Sequence, residues 1–287
     1  MNLDIITYTN KGIFLHPAED SFGISKKYPI FAVADGVTLW ERNADGSYPF
    51  PSGAKIVADA FCEKSIEWAE RNYQDFNIES VKEVFVYANR AIKEINDKAG
   101  RTRETINFYD FDYFHTTAAL AAIKDNKLFY GRVHDCWILV IDKNGEIKSD
   151  LIDPSDMERN KCVKSKHPQN FNSLSEKEIT TYVHKYDRNR ILENGEPCGY
   201  GVLTGEETAI KYLDARIIDL SDGDTILIYT DGFEEYIKLK EFLEIFYNWK
   251  NKKSVDEKLK KFSDSEPIRE DNSKFGKERT LIAVRYE

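Results

Sequence analysis

Apolar and polar residues alternate, or β-branched residues run together, over residues 4–9, 29–34, 116–123, 127–133, 137–142, 215–220, 225–229 and 280–286. A period of two, or a short Val/Ile-rich run, marks a strand, and each of these segments is predicted to be one. The connections Lys124-Asp125-Asn126, Lys143-Asn144-Gly145 and Ser221-Asp222-Gly223-Asp224 carry the residues of tight turns and favour antiparallel neighbours. Between the second and third strands the period changes to that of a helix. After Ser52, a candidate N-cap, Ala54, Val57, Ala58, Phe61, Ser65 and Trp68 fall on one face; after Ser80, with Glu83 three residues on, Val81, Val84, Phe85, Ala88, Ile92 and Ile95 do the same. Each helix has one apolar stripe to lay on a sheet. There is no regular strand-helix alternation, so the pattern predicts an α+β fold with paired helices covering antiparallel sheets.

Two stretches break the pattern. Residues 153–200 are polar, with His167-Pro168 and Asn194-Gly195, and read as a surface excursion. Residues 247–279 hold a short helical pattern at Val255, Leu259 and Phe262 and then lose it. Neither is apolar enough to form a domain of its own.

Composition narrows the function classes. The 287 residues carry 41 Lys+Arg against 50 Asp+Glu, a formal charge of -9, which argues against nucleic acid as a partner. Converging carboxylates would instead suit hard divalent cations, which prefer oxygen ligands. Cys62, Cys136, Cys162 and Cys198 are scattered, without Cys-x-x-Cys spacing, and read as reduced structural thiols. No window approaches the ~18 apolar residues of a membrane span, and the first residues have no secretory pattern, so a cytoplasmic protein without membrane contact is expected.

The chemistry lies where strands stop. Phe31-Ala32-Val33-Ala34 ends in Asp35-Gly36, and Ile226-Leu227-Ile228-Tyr229-Thr230 ends in Asp231-Gly232. A carboxylate at a strand end is held by rigid backbone, and the next glycine offers its carbonyl as a further ligand. Taken singly, each Asp-Gly is equally a turn dipeptide. The order of further elements adds weight: Glu19-Asp20, Thr116-Thr117-Ala118, His134-Asp135-Cys136, Gly223-Asp224, and a last strand Thr280-Leu281-Ile282-Ala283-Val284.

In that order, across about residues 2–286, these motifs resemble the protein phosphatase 2C family, the metal-dependent serine/threonine phosphatases. The resemblance implies a single phosphatase-like domain over residues 1–287: a β-sandwich of two antiparallel sheets flanked by pairs of helices, with a variable flap-like insertion near 153–200 suited to partner recognition. It also implies a phosphomonoesterase acting on phosphoserine or phosphothreonine in proteins, through two Mn²⁺ or Mg²⁺ ions and a metal-activated water. Matched residue by residue, Asp35 bridges the ions, Gly36 lends its carbonyl, Asp231 ligates the other ion, Glu19 and Asp20 orient bound water, and Asp135 with Asp231 holds a weaker third ion. Asp20, Asp35 and Asp231 are thus the expected catalytic set.

The sequence departs from the family pattern at several places. Where the family closes its site with Asp, this chain has Lys277, followed by Glu278. Either a small shift makes Glu278 a ligand, or the second ion loses a carboxylate and meets a cation, leaving a catalytically weak or inactive binding module as the rival reading. His134 and Cys136 flank Asp135 where Gly and Ser are usual; His134 is either near a metal or simply packed. The family's phosphate-binding Arg is missing, and His16 is the nearest substitute, or a loop residue beside Pro17. Val37 stands where some relatives carry a His that acts as general acid.

Overall fold

Strand β3 (Ile30–Gly36) is apolar without alternation because both its faces are covered. Ile30, Ala32 and Ala34 pack against helices, while Phe31 and Val33 face a second sheet. The computed structural model describes residues 3–12, 17–39, 41–149, 154–264 and 276–287. One sheet has the order β1 (Leu3–Asn10), β9 (Arg279–Tyr286), β8 (Thr225–Tyr229), β6 (Trp137–Ile141); the other has the order β2 (Ser21–Ile24), β3, β4 (Thr116–Lys124), β5 (Lys127–Val133), β7 (Asp214–Asp219). Every neighbouring pair is antiparallel. Between the sheets, Phe31, Ala119, Ala121 and Tyr130 meet Ile138, Ile226, Ile228 and Ile282.

Helices α1 (Gly53–Arg71) and α2 (Ile78–Lys98) cover the outer face of the second sheet, where Phe61, Val84 and Phe85 pack on Ala118, Leu120 and Ala122. Ser52 caps α1 as expected, its hydroxyl accepting the N–H of Lys55 at 3.1 Å. The second helix begins earlier than its apolar stripe suggests. Asn77 is its N-cap, and Ser80 is the reciprocal partner whose hydroxyl accepts the Asn77 N–H. The other outer face is covered by α5 (Glu234–Ile237), α6 (Lys240–Tyr247) and α7 (Lys252–Asp264), through Phe233, Phe242, Phe246, Val255 and Leu259. Thus an α+β sandwich of two antiparallel sheets flanked by helices is observed. Among the described residues no helix is long and apolar enough to cross a membrane.

Antiparallel pairing gathers strand ends. Gly36 lies opposite Thr116, Tyr229 opposite both Trp137 and Leu281, and Asn10 opposite Arg279. The ends of β1, β3, β5 and β8 and the starts of β4, β6 and β9 therefore share one end of the sandwich.

Residues 154–200 are more ordered than their polarity suggests. They form α3 (Pro154–Lys164) and α4 (Glu176–Tyr186), the latter capped by Ser175 with Glu178. Cys162 and Cys198 are joined in a disulfide, so the expectation of four reduced thiols fails for this pair; Cys62 and Cys136 are free and buried. The second anchor is ionic. Arg188, almost fully buried, donates two 2.8 Å bonds to the carboxylate of Asp112, and His184 Nδ1 lies 2.8 Å from Asp112 Oδ2. Polar residues are thus buried here because they pair with each other.

Burial opposes ionisation of Asp112, but His184 and Arg188 outweigh it and hold its carboxyl well below the usual carboxylate range. Asp112→Ala should cost about 3–5 kcal/mol, because it leaves a buried guanidinium unpaired. A depressed folded pKa means that the carboxylate's contribution is complete above ~3.9 and fades as pH falls below it. The stability gap between wild type and Asp112→Ala in urea melts should therefore be smaller at pH 3 than at pH 7.

Candidate metal centre

At the gathered strand ends, Asp35, Gly36, Val37, Thr38, Thr117, Asp135, Asp231, Lys277 and Glu278 line a cleft of about 430 Å³. Asp35 is the penultimate residue of β3, opposite Thr117, and its backbone carbonyl accepts the Thr116 hydroxyl at 2.7 Å. Asp231 opens the turn after β8. Asp135 sits in the turn that carries the chain from β5 to β6, where His134 adopts φ 59°. The sequence-predicted carboxylates Asp35, Asp135, Asp231 and Glu278 thus meet in one cleft with Gly36.

Asp20 stands behind them, lining a neighbouring cavity of about 390 Å³ that shares Glu278 as a wall. Its Oδ2 accepts the Thr230 hydroxyl at 2.8 Å. Glu19 is turned elsewhere. One oxygen accepts the hydroxyls of Tyr48 and Ser52, and the other accepts that of Thr38 at 2.5 Å. Because Ser52 is also the α1 cap, Glu19 ties the loop before β2 to the start of that helix. Glu278 performs the matching task across the sandwich: its oxygens accept the backbone N–H groups of Glu19 and Asp20, each at 2.8 Å. His16 lies outside the described residues. His134 Nδ1 lies 2.6 Å from Asp135 Oδ1, and its ring meets Tyr200 edge-on.

The electrostatics follow from that crowding. Removal from water, then the fields of Asp20, Asp231, Asp135 and Glu278, push the carboxyl of Asp35 well above its ordinary value. Burial and Glu278 raise Asp20 against the pull of Thr230 and Thr280. Burial also raises Asp231, partly offset by Lys277, whose Nζ lies 2.5 Å from Asp231 Oδ2. Asp135 is the exception. His134, Lys277 and Arg132 overcome its desolvation and lower it.

Like charges held this way are relieved by protons or by a cation. The cleft is lined by hard oxygens, among them three Asp carboxylates and Glu278, a set that would suit Mn²⁺ or Mg²⁺ rather than zinc. Among the described residues, however, no three Asp, Glu, His or Cys side chains close into a ready cage.

The two Asp-Gly glycines have a purpose that turn chemistry does not explain, since neither has positive φ. A Cβ on Gly36 would lie 2.8 Å from Ala54 and from the Glu19 carbonyl, and one on Gly232 would lie 2.0 Å from the Glu278 carbonyl. Both let the strand ends that carry the aspartates press against backbone. Hydrophobic patterning could not reveal the hydroxyls of Thr38 and Tyr48, which meet Glu19 only through folding. Gly36→Ala should cost about 1–3 kcal/mol through overpacking, and Gly232→Ala at least as much, read as loss of stability in denaturant melts. Unchanged midpoints would show that these contacts are not tight.

The sequence matches the family model described as Protein phosphatase 2C over residues 16–263. No curated protein matches it. Several solved structures share the fold at low identity. The Mycobacterium tuberculosis serine/threonine phosphatase PstP/Ppp is 13% identical, with 99% of each chain covered and a TM-score of 0.61. The catalytic domain of serine threonine protein phosphatase PstP, in complex with 2 manganese ions, is 14% identical over 98% of this chain and 96% of that one, with a TM-score of 0.58. RsbX in complex with magnesium is 13% identical over 99% and 96%, with a TM-score of 0.52. These structural likenesses speak to the fold, whereas the family match spans most of the sequence, including Glu19, Asp20, Asp35, Asp135 and Asp231. The chain belongs to the protein phosphatase 2C family.

Proposed function

We propose that the protein is a metal-dependent phosphomonoesterase that removes phosphate from phosphoserine or phosphothreonine in proteins. The observation that carries this reading is the meeting of Asp35, Gly36, Asp135 and Asp231 in one cleft at the strand ends. Mn²⁺ or Mg²⁺ would be held at the Asp35 carboxylate and the Gly36 carbonyl, with Asp135, Asp231 and Glu278 lining the same cleft and Asp20 behind it. Such an ion, when bound, lowers the pKa of water and neutralises phosphoryl oxygens.

The chain's own groups set the rest. Rigid strand ends hold the carboxylates, so little reorganisation accompanies reaction. Glu19 and Glu278 fix the loop that carries Asp20. Neither free cysteine suits a phosphocysteine route: burial pushes the Cys62 thiol up to about 12 and the Cys136 thiol well above its ordinary value, so both stay protonated. Residues 154–200 are our candidate for substrate selection, because Tyr200 touches His134 beside Asp135.

The ion pair of Lys277 with Asp231 favours a second reading, a catalytically weak or silent module that keeps the fold for binding. Hydrolysis of p-nitrophenyl phosphate separates the two. Wild type should turn over with added Mn²⁺ and stop with chelator, and Asp35→Asn should lose at least a hundredfold. Equal, metal-independent slowness in wild type and variant would leave the binding module. Mn²⁺ at a hundred times its dissociation constant should also stabilise wild type by about 2.7 kcal/mol.

A further inference from the structure

One cation in the cleft belongs to the chain itself. The Lys277 ammonium lies 2.5 Å from Asp231 Oδ2, with the lysine side chain 40% and the aspartate side chain 24% exposed. Its place is just before β9, which pairs with β8 and so brings residue 277 alongside the turn after β8. A divalent ion on Asp231 Oδ2 would have to displace this ammonium, and the side chain at position 277 gives it no oxygen in return. The acidic neighbour, Glu278, already has each oxygen engaged by a backbone N–H, and moving it would release the loop that carries Asp20. Affinity for hard divalent ions follows the number of anionic oxygens offered. Asp35 and the Gly36 carbonyl, by contrast, lie at the end of β3 amid the other carboxylates of the cleft.

We infer that Lys277 serves as a built-in cation on Asp231, so that this carboxylate cluster takes one divalent ion, at the Asp35–Gly36 end, rather than a pair. The inference rests on reading the cleft as a metal centre and deepens it: of the four positive charges that two divalent ions would import, the fold supplies one, on Lys277.

The test counts ions without substrate. Mn²⁺ is titrated into wild type, Lys277→Asp and Lys277→Gln, with stoichiometry read by calorimetry and ion proximity by low-temperature electron paramagnetic resonance. Wild type should bind one ion per chain and show the six-line signal of an isolated Mn²⁺. Lys277→Asp should bind a second ion at least tenfold more tightly than wild type binds any second ion, with the spectrum of an exchange-coupled pair. Lys277→Gln, which removes the charge and adds no anionic ligand, should bind a second ion with intermediate affinity, and it keeps the test open if Lys277→Asp does not fold. The inference is overturned if wild type binds a coupled pair, if neither variant gains an ion, or if no form binds Mn²⁺. Ester hydrolysis on the same samples separates it from the phosphatase reading: one ion in wild type and two in Lys277→Asp, with no turnover by either, would uphold the inference and remove the activity.

Discussion

Carboxylates brought together away from water repel one another, and much of the architecture can be read as the means of holding them in place. Asp20, Asp35, Asp135 and Asp231 come from different segments, and Asp20 and Asp35 are destabilised as anions by burial and by their neighbours. A flexible loop would relieve that strain by moving apart. The chain prevents this by placing Asp35 on a strand covered on both faces, and by pinning Asp20 through the amides that Glu278 accepts and the hydroxyl of Thr230. Folding energy from the apolar layers is in effect stored as electrostatic potential at one end of the sandwich.

The same constraint explains how the glycines and acids divide their tasks. Asp35 and Asp231 supply charge, whereas Gly36 and Gly232 allow backbone to approach where any side chain would collide. Glu19 and Glu278, which look from the sequence like further ligands, chiefly bind the protein to itself: one collects hydroxyls from Thr38, Tyr48 and Ser52, and the other collects backbone amides. An acidic residue near a metal centre can thus be needed for shape as much as for coordination.

What was legible in the sequence was what repeats at short range. The strands from β3 to β9 announce themselves by apolar runs, and α1 by its stripe and its Ser52 cap. Strand β2 has only four residues, too few to show a period, and is held by pairing with β3. Ser80 resembles the cap of α2 because the apolar stripe starts at Val81, whereas the cap is Asn77, three residues earlier. The Cys162–Cys198 bond spans 36 residues, and sequence spacing does not reveal which thiols meet. The order of the acidic motifs was enough to suggest the family. The posture of Lys277 was not, because whether a lysine turns to solvent or to Asp231 depends on the register of β8 against β9.

That register gives the site a history as well as a geometry. Glu278 bonds to the amide of Glu19 across 259 residues, and β9 lies between β1 and β8, so the cluster is complete only when the last strand is in place. During synthesis, which proceeds from the N-terminus, β3 and β8 emerge from the ribosome before β9 does. Until then the first sheet lacks the strand that joins β1 to β8, and the loop carrying Asp20 lacks its carboxylate clamp. A nascent chain therefore has the aspartates without the site.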